Sequence, residues 1–199
     1  MVLSARKAEP ALEPRPEPEP DESEPGLDCV VPLVRADADW EEKADPSAPV
    51  IEVLAGSLVV VYAFDEDTQF RMVAQRDLVR LGVDRAALSE AAHDHLLDRM
   101  ADLQLLDRPD GCGMVRLDGN LESSAILVPE LWHDIGEILG DEVLVAVPAR
   151  DIVLFCGAGN DAVKRALRAA RDRALAVGDH KITGDLFRFH GGSWQVEPA

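Results

Sequence analysis

Two short stretches carry the residue types that acid–base and anion-binding chemistry uses: D-G-N-L-E at 118 to 122 and P-A-R-D at 148 to 151. Asp118 and Glu122 are carboxylates four residues apart. General acid–base work needs such a pair in environments that separate the two pKa values. Asn120 adds an amide between them. Arg150 offers a planar fork that can grip a carboxylate or phosphate through two parallel bonds, and Asp151 follows it. If both stretches are turns at one end of one sheet, Asp118, Asn120, Glu122, Arg150 and Asp151 form a single polar cluster, a binding site or a hydrolase site. The plainer reading is a solvated turn with an Arg–carboxylate brace, which contributes little when exposed.

A second candidate is cationic. Lys164, Arg165, Arg168, Arg171 and Arg173 lie within ten residues, and Lys164, Arg168 and Arg171 fall on one helical stripe. They offer a site for an anion or for the chain's own acidic tail, or simply the charged outer face of an amphipathic helix. Just upstream, G-A-G-N at 157 to 160 places two glycines before a helix start, a weak phosphate-loop signal.

No metal site is expected. His93 and His95 are two apart and point to different helix faces, whereas paired ligands on a helix are spaced by three or four. His133 and Glu137 have the right spacing, but two residues make an i,i+4 contact and not a site. Cys29, Cys112 and Cys156 are far apart and fit neither a zinc knuckle nor a disulfide framework. G-x-G-x-x-G, G-x-x-x-x-G-K-[ST] and G-x-S-x-G are all absent, so no cofactor is expected.

These groups sit in a chain of 199 residues with 38 acids against 20 bases, a net charge of −18. Such a surface repels phosphate backbones and anionic lipid and favours basic protein partners, so neither general nucleic-acid binding nor membrane association is expected. There is no apolar leader and no apolar run long enough for a membrane helix, which points to a cytoplasmic protein. Residues 1–26 hold six of the 13 prolines and read as a disordered acidic tail. Residues 27–199 read as one α+β domain of mostly antiparallel β-hairpins packed against two or three helices.

The elements that must position the candidates follow from periodicity. Strands are predicted at 28–35, an edge strand because of Pro32, and at 50–55, 57–64 and about 70–74. A short helical turn is possible around Trp40. Asp84 caps a helix over 85–102 whose stripe is Leu88, Ala92, Leu96, Met100 and Leu103. M-V-R-L and E-S-S-A-I-L-V read as two strands about D-G-N. Pro129 opens a helix to 139, and Gly140 closes it. Residues 143–147 and 152–155 are apolar throughout and predict a hairpin covered on both faces, with Pro148 setting the turn and Arg150–Asp151 at its corner. Asn160 caps a helix over 161–177, ended by Gly178, that buries Val163, Leu167, Ala170, Ala174 and Val177. A last hairpin turns at Gly191–Gly192.

The stretch D-G-N-L-E-S-S-A-I-L-V-P-E-L-W-H-D-I-G-E-I-L-G-D-E-V-L-V-A-V-P-A-R-D-I-V-L-F resembles the YtpQ-like family of bacterial proteins of unknown function. The resemblance rests on Gly119, Asn120, Glu122 and Ser124, the following helix, and the strand running from Val147 to Asp151. It spans roughly 28–175 and leaves the tail outside. It implies a cytoplasmic α+β protein with no assigned activity, cofactor or catalytic residue. With the charge, it favours a non-catalytic protein-binding module, in one version an inhibitor or immunity-type protein masking a basic partner. A hydrolase and a small-anion-binding module are the alternatives.

Overall fold

In the computed structural model, residues 24–37, 45–66 and 69–198 are described. Most of the proline-rich tail and the expected turn at Trp40 lie outside them. The fold is α+β, with two antiparallel sheets. The first contains β1 (Val30–Ala36), β2 (Ile51–Ala55), β3 (Leu58–Glu66) and β4 (Gln69–Met72). Its order is β1-β3-β2, and β4 also pairs with β3. Pro32 sits on the edge strand, as a residue without an N–H must.

β3 is apolar on both faces for a reason of position. Val60, Tyr62 and Phe64 pack towards the helix Arg85–Arg99, against Leu88 and Ala92. Val59, Val61 and Ala63 pack on Leu33, Ile51 and Leu121 on the opposite side. The helix starts where expected, with Asp84 accepting a hydrogen bond from the Ala87 N–H at 2.9 Å. It ends at Arg99 and passes into a 3-10 turn, Met100–Asp102.

The second sheet has the order β10-β9-β7-β8-β6-β5. Its strands are β5 (Gln104–Asp107), β6 (Gly113–Arg116), β7 (Val143–Ala149), β8 (Ile152–Gly157), β9 (Leu186–His190) and β10 (Ser193–Val196). The hairpin of β7 and β8 is central and covered on both faces. Leu144, Ala146, Leu154 and Cys156 meet Leu167 and Ala170 of the helix Asp161–Val177. Val143, Val145, Val147, Val153 and Phe155 meet Trp132 and Ile135 of the helix Pro129–Leu139. Val34, Ala55 and Leu58 of the first sheet join that same cluster, so the two sheets share one core.

Several expectations need correction. Four α-helices are present among the described residues: α1 (Gln75–Leu81), α2 (Arg85–Arg99), α3 (Pro129–Leu139) and α4 (Asp161–Val177). The short α1 has little periodicity to read. It is fixed by Asp77, buried, whose Oδ2 accepts the Ala74 N–H at 2.9 Å. Residues Glu122–Leu127 form a 3-10 helix and not a strand. Polar tertiary bonds outweigh the strand signal of the apolar run there: Ser124 Oγ donates to Pro32 O at 2.8 Å, and Trp132 Nε1 donates to Ala125 O at 2.8 Å. The partner of β6 in its hairpin is instead β5. Pro148 lies within β7, where the pairing with β8 shifts register between Ala146 and Ala149. Val177, expected on the buried side of α4, is exposed at the last turn of the helix. At the end of the expected tail, Glu24 is paired with Arg80 of α1 at 2.9 Å, and Pro25 O accepts from the same guanidinium.

Candidate functional site

The D-G-N-L-E turn is built by its own carboxylates. Asp118 Oδ1 accepts the N–H groups of Asn120 at 2.8 Å and Leu121 at 3.0 Å, and Oδ2 accepts Arg99 Nη2 at 3.0 Å. Burial works against ionisation of Asp118, but these donors outweigh it and hold the carboxyl below its ordinary range. Glu122 is buried, and its Oε1 accepts the N–H groups of Leu117 at 2.9 Å and Gly119 at 2.8 Å. Both side chains thus brace a tight turn whose Gly119 has a φ of 85°. Asn120 is half-buried, and its N–H belongs to the same brace.

The P-A-R-D corner reaches this turn through the backbone. Ser123 N–H donates to Arg150 O at 2.9 Å, and Arg150 N–H donates to His180 O at 3.1 Å. Asp151 is exposed at the corner. The expected cluster is therefore only partly assembled. Asp118 is paired with Arg99, and among the described residues no ion pair joins Arg150 to a carboxylate.

The other candidates fall into place separately. On α4, Lys164 pairs with Asp161 at 2.7 Å, and Arg171 holds Asp172 and donates to Gly184 O at 2.8 Å. Arg168 is half-buried on the same helix. His95 Nδ1 is 3.1 Å from Val30 O at the sheet boundary. His133 and Glu137 make an exposed i,i+4 contact at 3.4 Å. Among the described residues no group of three or more His, Cys, Asp or Glu side chains could hold a metal ion, and no helix is long and apolar enough to cross a membrane.

Sequence reading missed a groove of about 620 Å³ between α3 and the β9–β10 turn. Its floor is apolar, made by Trp132, Val143 and Phe189. Its rim carries His133, Glu137, Asp141, Glu142 and His190, with Gly191 and Gly192 keeping the hairpin side low. A shallower depression of about 310 Å³ continues it past Glu130 and Asp134, sharing His133, Phe189 and Gly192. The floor is rigid: Trp132 stacks edge-on with Phe155 at 5.9 Å and with Trp194 at 5.4 Å between ring centroids. On the rim, Arg188 bridges Glu142 and Glu197. Asp141 accepts the N–H groups of Glu142 and Gly159. On α3, Glu137 lines the groove and Glu130 and Asp134 line its continuation, with Glu137 3.4 Å from His133. The only sequence signal was the acidic face of α3. The groove itself depends on β7 pairing with β9.

No family model matches this chain, and comparison with curated proteins and with solved structures found no match.

Proposed function

We propose that this chain is a non-catalytic protein-binding module, cytoplasmic and YtpQ-like, that takes a basic segment of a partner protein in the groove between α3 and the β9–β10 turn. The observation that carries this reading is the pairing of a rigid aromatic floor with a carboxylate rim. Phe189 offers the apolar surface, backed by the packed Trp132 and Val143, and Glu130, Asp134 and Glu137 of α3 flank it on one side with carboxylates. A lysine or arginine side chain suits such a place, because its stem buries on apolar surface while its head stays with carboxylates in water. The net charge of −18 steers a basic partner towards the surface at long range. An inhibitor or immunity-type role, masking a basic face, is the specific form of the proposal.

The test is fluorescence anisotropy of the full chain with a library of peptides bearing one or two Lys or Arg residues beside an apolar anchor. Binding is expected to weaken about tenfold or more when salt rises from roughly 0.05 M to 0.3 M, since exposed charge pairs are screened over about 10 Å. The double variant Asp134→Asn/Glu137→Gln should lose most of that affinity while its circular dichroism stays unchanged. Salt-independent binding, or equal binding by the variant, would remove the groove from consideration.

A further inference from the structure

Strand β2 carries its polarity the wrong way round. Its register with β3 sets Glu52 opposite Val60, and Val60 packs towards α2, so Glu52 lies on the face that turns to the core. The next residue, Val53, is on the other face and is 81% exposed. An edge strand would bury more apolar surface with these two residues exchanged. Val50 and Leu54, on either side of Glu52, do pack on the α2 cluster. The inversion is therefore confined to one position.

What Glu52 faces is a pocket of about 200 Å³. It is left open because α2 lies chiefly over β1 and not over β2. Tyr62 of β3 lines it, and so do Ser89 and His93, one turn apart on α2. Leu54, Val60 and Leu127 supply apolar lining. Tyr62 is only 1% exposed. Burial pushes its hydroxyl up, Ser89 beside it works the other way, and Glu52 adds to the rise. The charge of Glu52 is felt there more than that of Arg85, which stands one turn before Ser89 and does not line the pocket.

A carboxylate turned inward loses hydration, which a matching donor restores. The other polar groups of the lining are two hydroxyls and an imidazole, and each can accept a hydrogen bond. An ammonium group has three donors, no acceptor and a compact charge, so such a set of acceptors satisfies it. At roughly 30 Å³ for each water-sized group, the volume holds about seven heavy atoms, enough for an ammonium on a stem of about four to six carbons. We propose that this pocket binds a primary ammonium group on a short alkyl stem, with Glu52 as its counter-charge, the Tyr62 and Ser89 hydroxyls as acceptors, and the stem against Leu54, Val60 and Leu127. The ammonium belongs either to a free alkylamine or to a lysine side chain. No lining residue is shared with the α3 groove, so the two sites stand or fall separately.

Tyr62 is the only tyrosine of the chain, so ring-13C tyrosine places a single reporter in the pocket. The experiment is an NMR titration of the labelled full chain, near neutral pH, with n-butylammonium chloride. Sodium chloride and tetramethylammonium chloride at matched ionic strength are the controls, the second having the charge without N–H donors. A saturable shift of the Tyr62 resonance is expected with butylammonium and with neither control. Glu52→Gln keeps the shape of a half-buried side chain and should fold as the wild type does by circular dichroism. It should need at least about tenfold more butylammonium for the same shift. Ser89→Ala keeps the carboxylate and should need about threefold more. Titration with Nα-acetyl-lysine amide separates the sources: tighter binding than butylammonium assigns a lysine side chain, and equal or weaker binding a free amine. A wild-type shift that does not saturate, one that either control reproduces, or an unchanged midpoint in Glu52→Gln would overturn the proposal.

Discussion

Glu142 Oε1 lies 2.5 Å from His190 Nδ1, joining the residue before β7 to the last residue of β9. Its other oxygen meets Arg188 Nη1 at the same distance. One carboxylate therefore ties the hairpin side of the groove to the strand beneath it. The hydrogen bond from Arg188, and then that of His190, hold its carboxyl below the ordinary value of 4.5.

That depression has a sign for stability. A carboxyl whose folded pKa lies below its unfolded one stabilises the fold above the unfolded value, and the gain disappears as pH falls through the folded value. The wild type should therefore exceed Glu142→Gln in urea midpoint near neutral pH. The difference should shrink as pH drops below about 4.5. Paired urea titrations between neutral and acid pH measure it. A difference that persists unchanged at acid pH would mean that Glu142 acts through packing and not through charge.

Glu122 is expected to matter more for stability than any exposed carboxylate. Replacing it with Ala leaves the part-buried N–H groups of Leu117 and Gly119 without their acceptor. The expected loss is about 3 kcal/mol in a denaturant titration. Glu122→Gln retains an acceptor oxygen and should recover part of this.

Gly113 faces Phe155 across β6 and β8, and a β-carbon there would enter the Phe155 ring. The ring is held by Trp132, so it cannot move aside freely. Gly113→Ala should cost about 1–3 kcal/mol, as overpacking does. Adding Phe155→Leu should lower the penalty of the alanine, and a double-mutant cycle of unfolding free energies would reveal the coupling.

The three thiols should react in a fixed order. Burial pushes Cys156 up to about 12 and Cys112, with some help from Asp110, up to about 11. Both are only 2% exposed. Cys29 is raised too, again chiefly by burial, but it remains half-buried beside a depression at the start of β1. Iodoacetamide at mildly alkaline pH, followed by mass spectrometry, should label Cys29 first and slowly. Cys112 and Cys156 should label only after unfolding.

What could be read from the sequence was what depends on neighbours along the chain. The hairpin of β7 and β8, the Asp84 and Asn160 caps, and the span of α3 between Pro129 and Gly140 all follow from local period and end signals. Residues 122–127 misled because an apolar run after a tight turn looks like a strand until Ser124 is seen to bond Pro32, ninety-two positions away. Asp118, Glu122 and Arg150 were visible as polar residues near turns, but their bonding was not: two brace one turn, and the Nε of the third is buried with no partner among the described residues. The groove was hidden for the same reason, since Glu142 and His190 are separated by 48 positions.

The core shared by the two sheets also orders events in time. Val34, Ala55 and Leu58 lie against a cluster that includes Phe187 and Phe189, and Ser57 is bonded to Thr183 and Asp185. A nascent chain emerging from the ribosome can pair β1 with β3 early, but Val34, Ala55 and Leu58 lack part of their cover until β9 is made. The shared core cannot close before β9 has been made, and until then the chain's strongly acidic character opposes the meeting of its open apolar face with other chains.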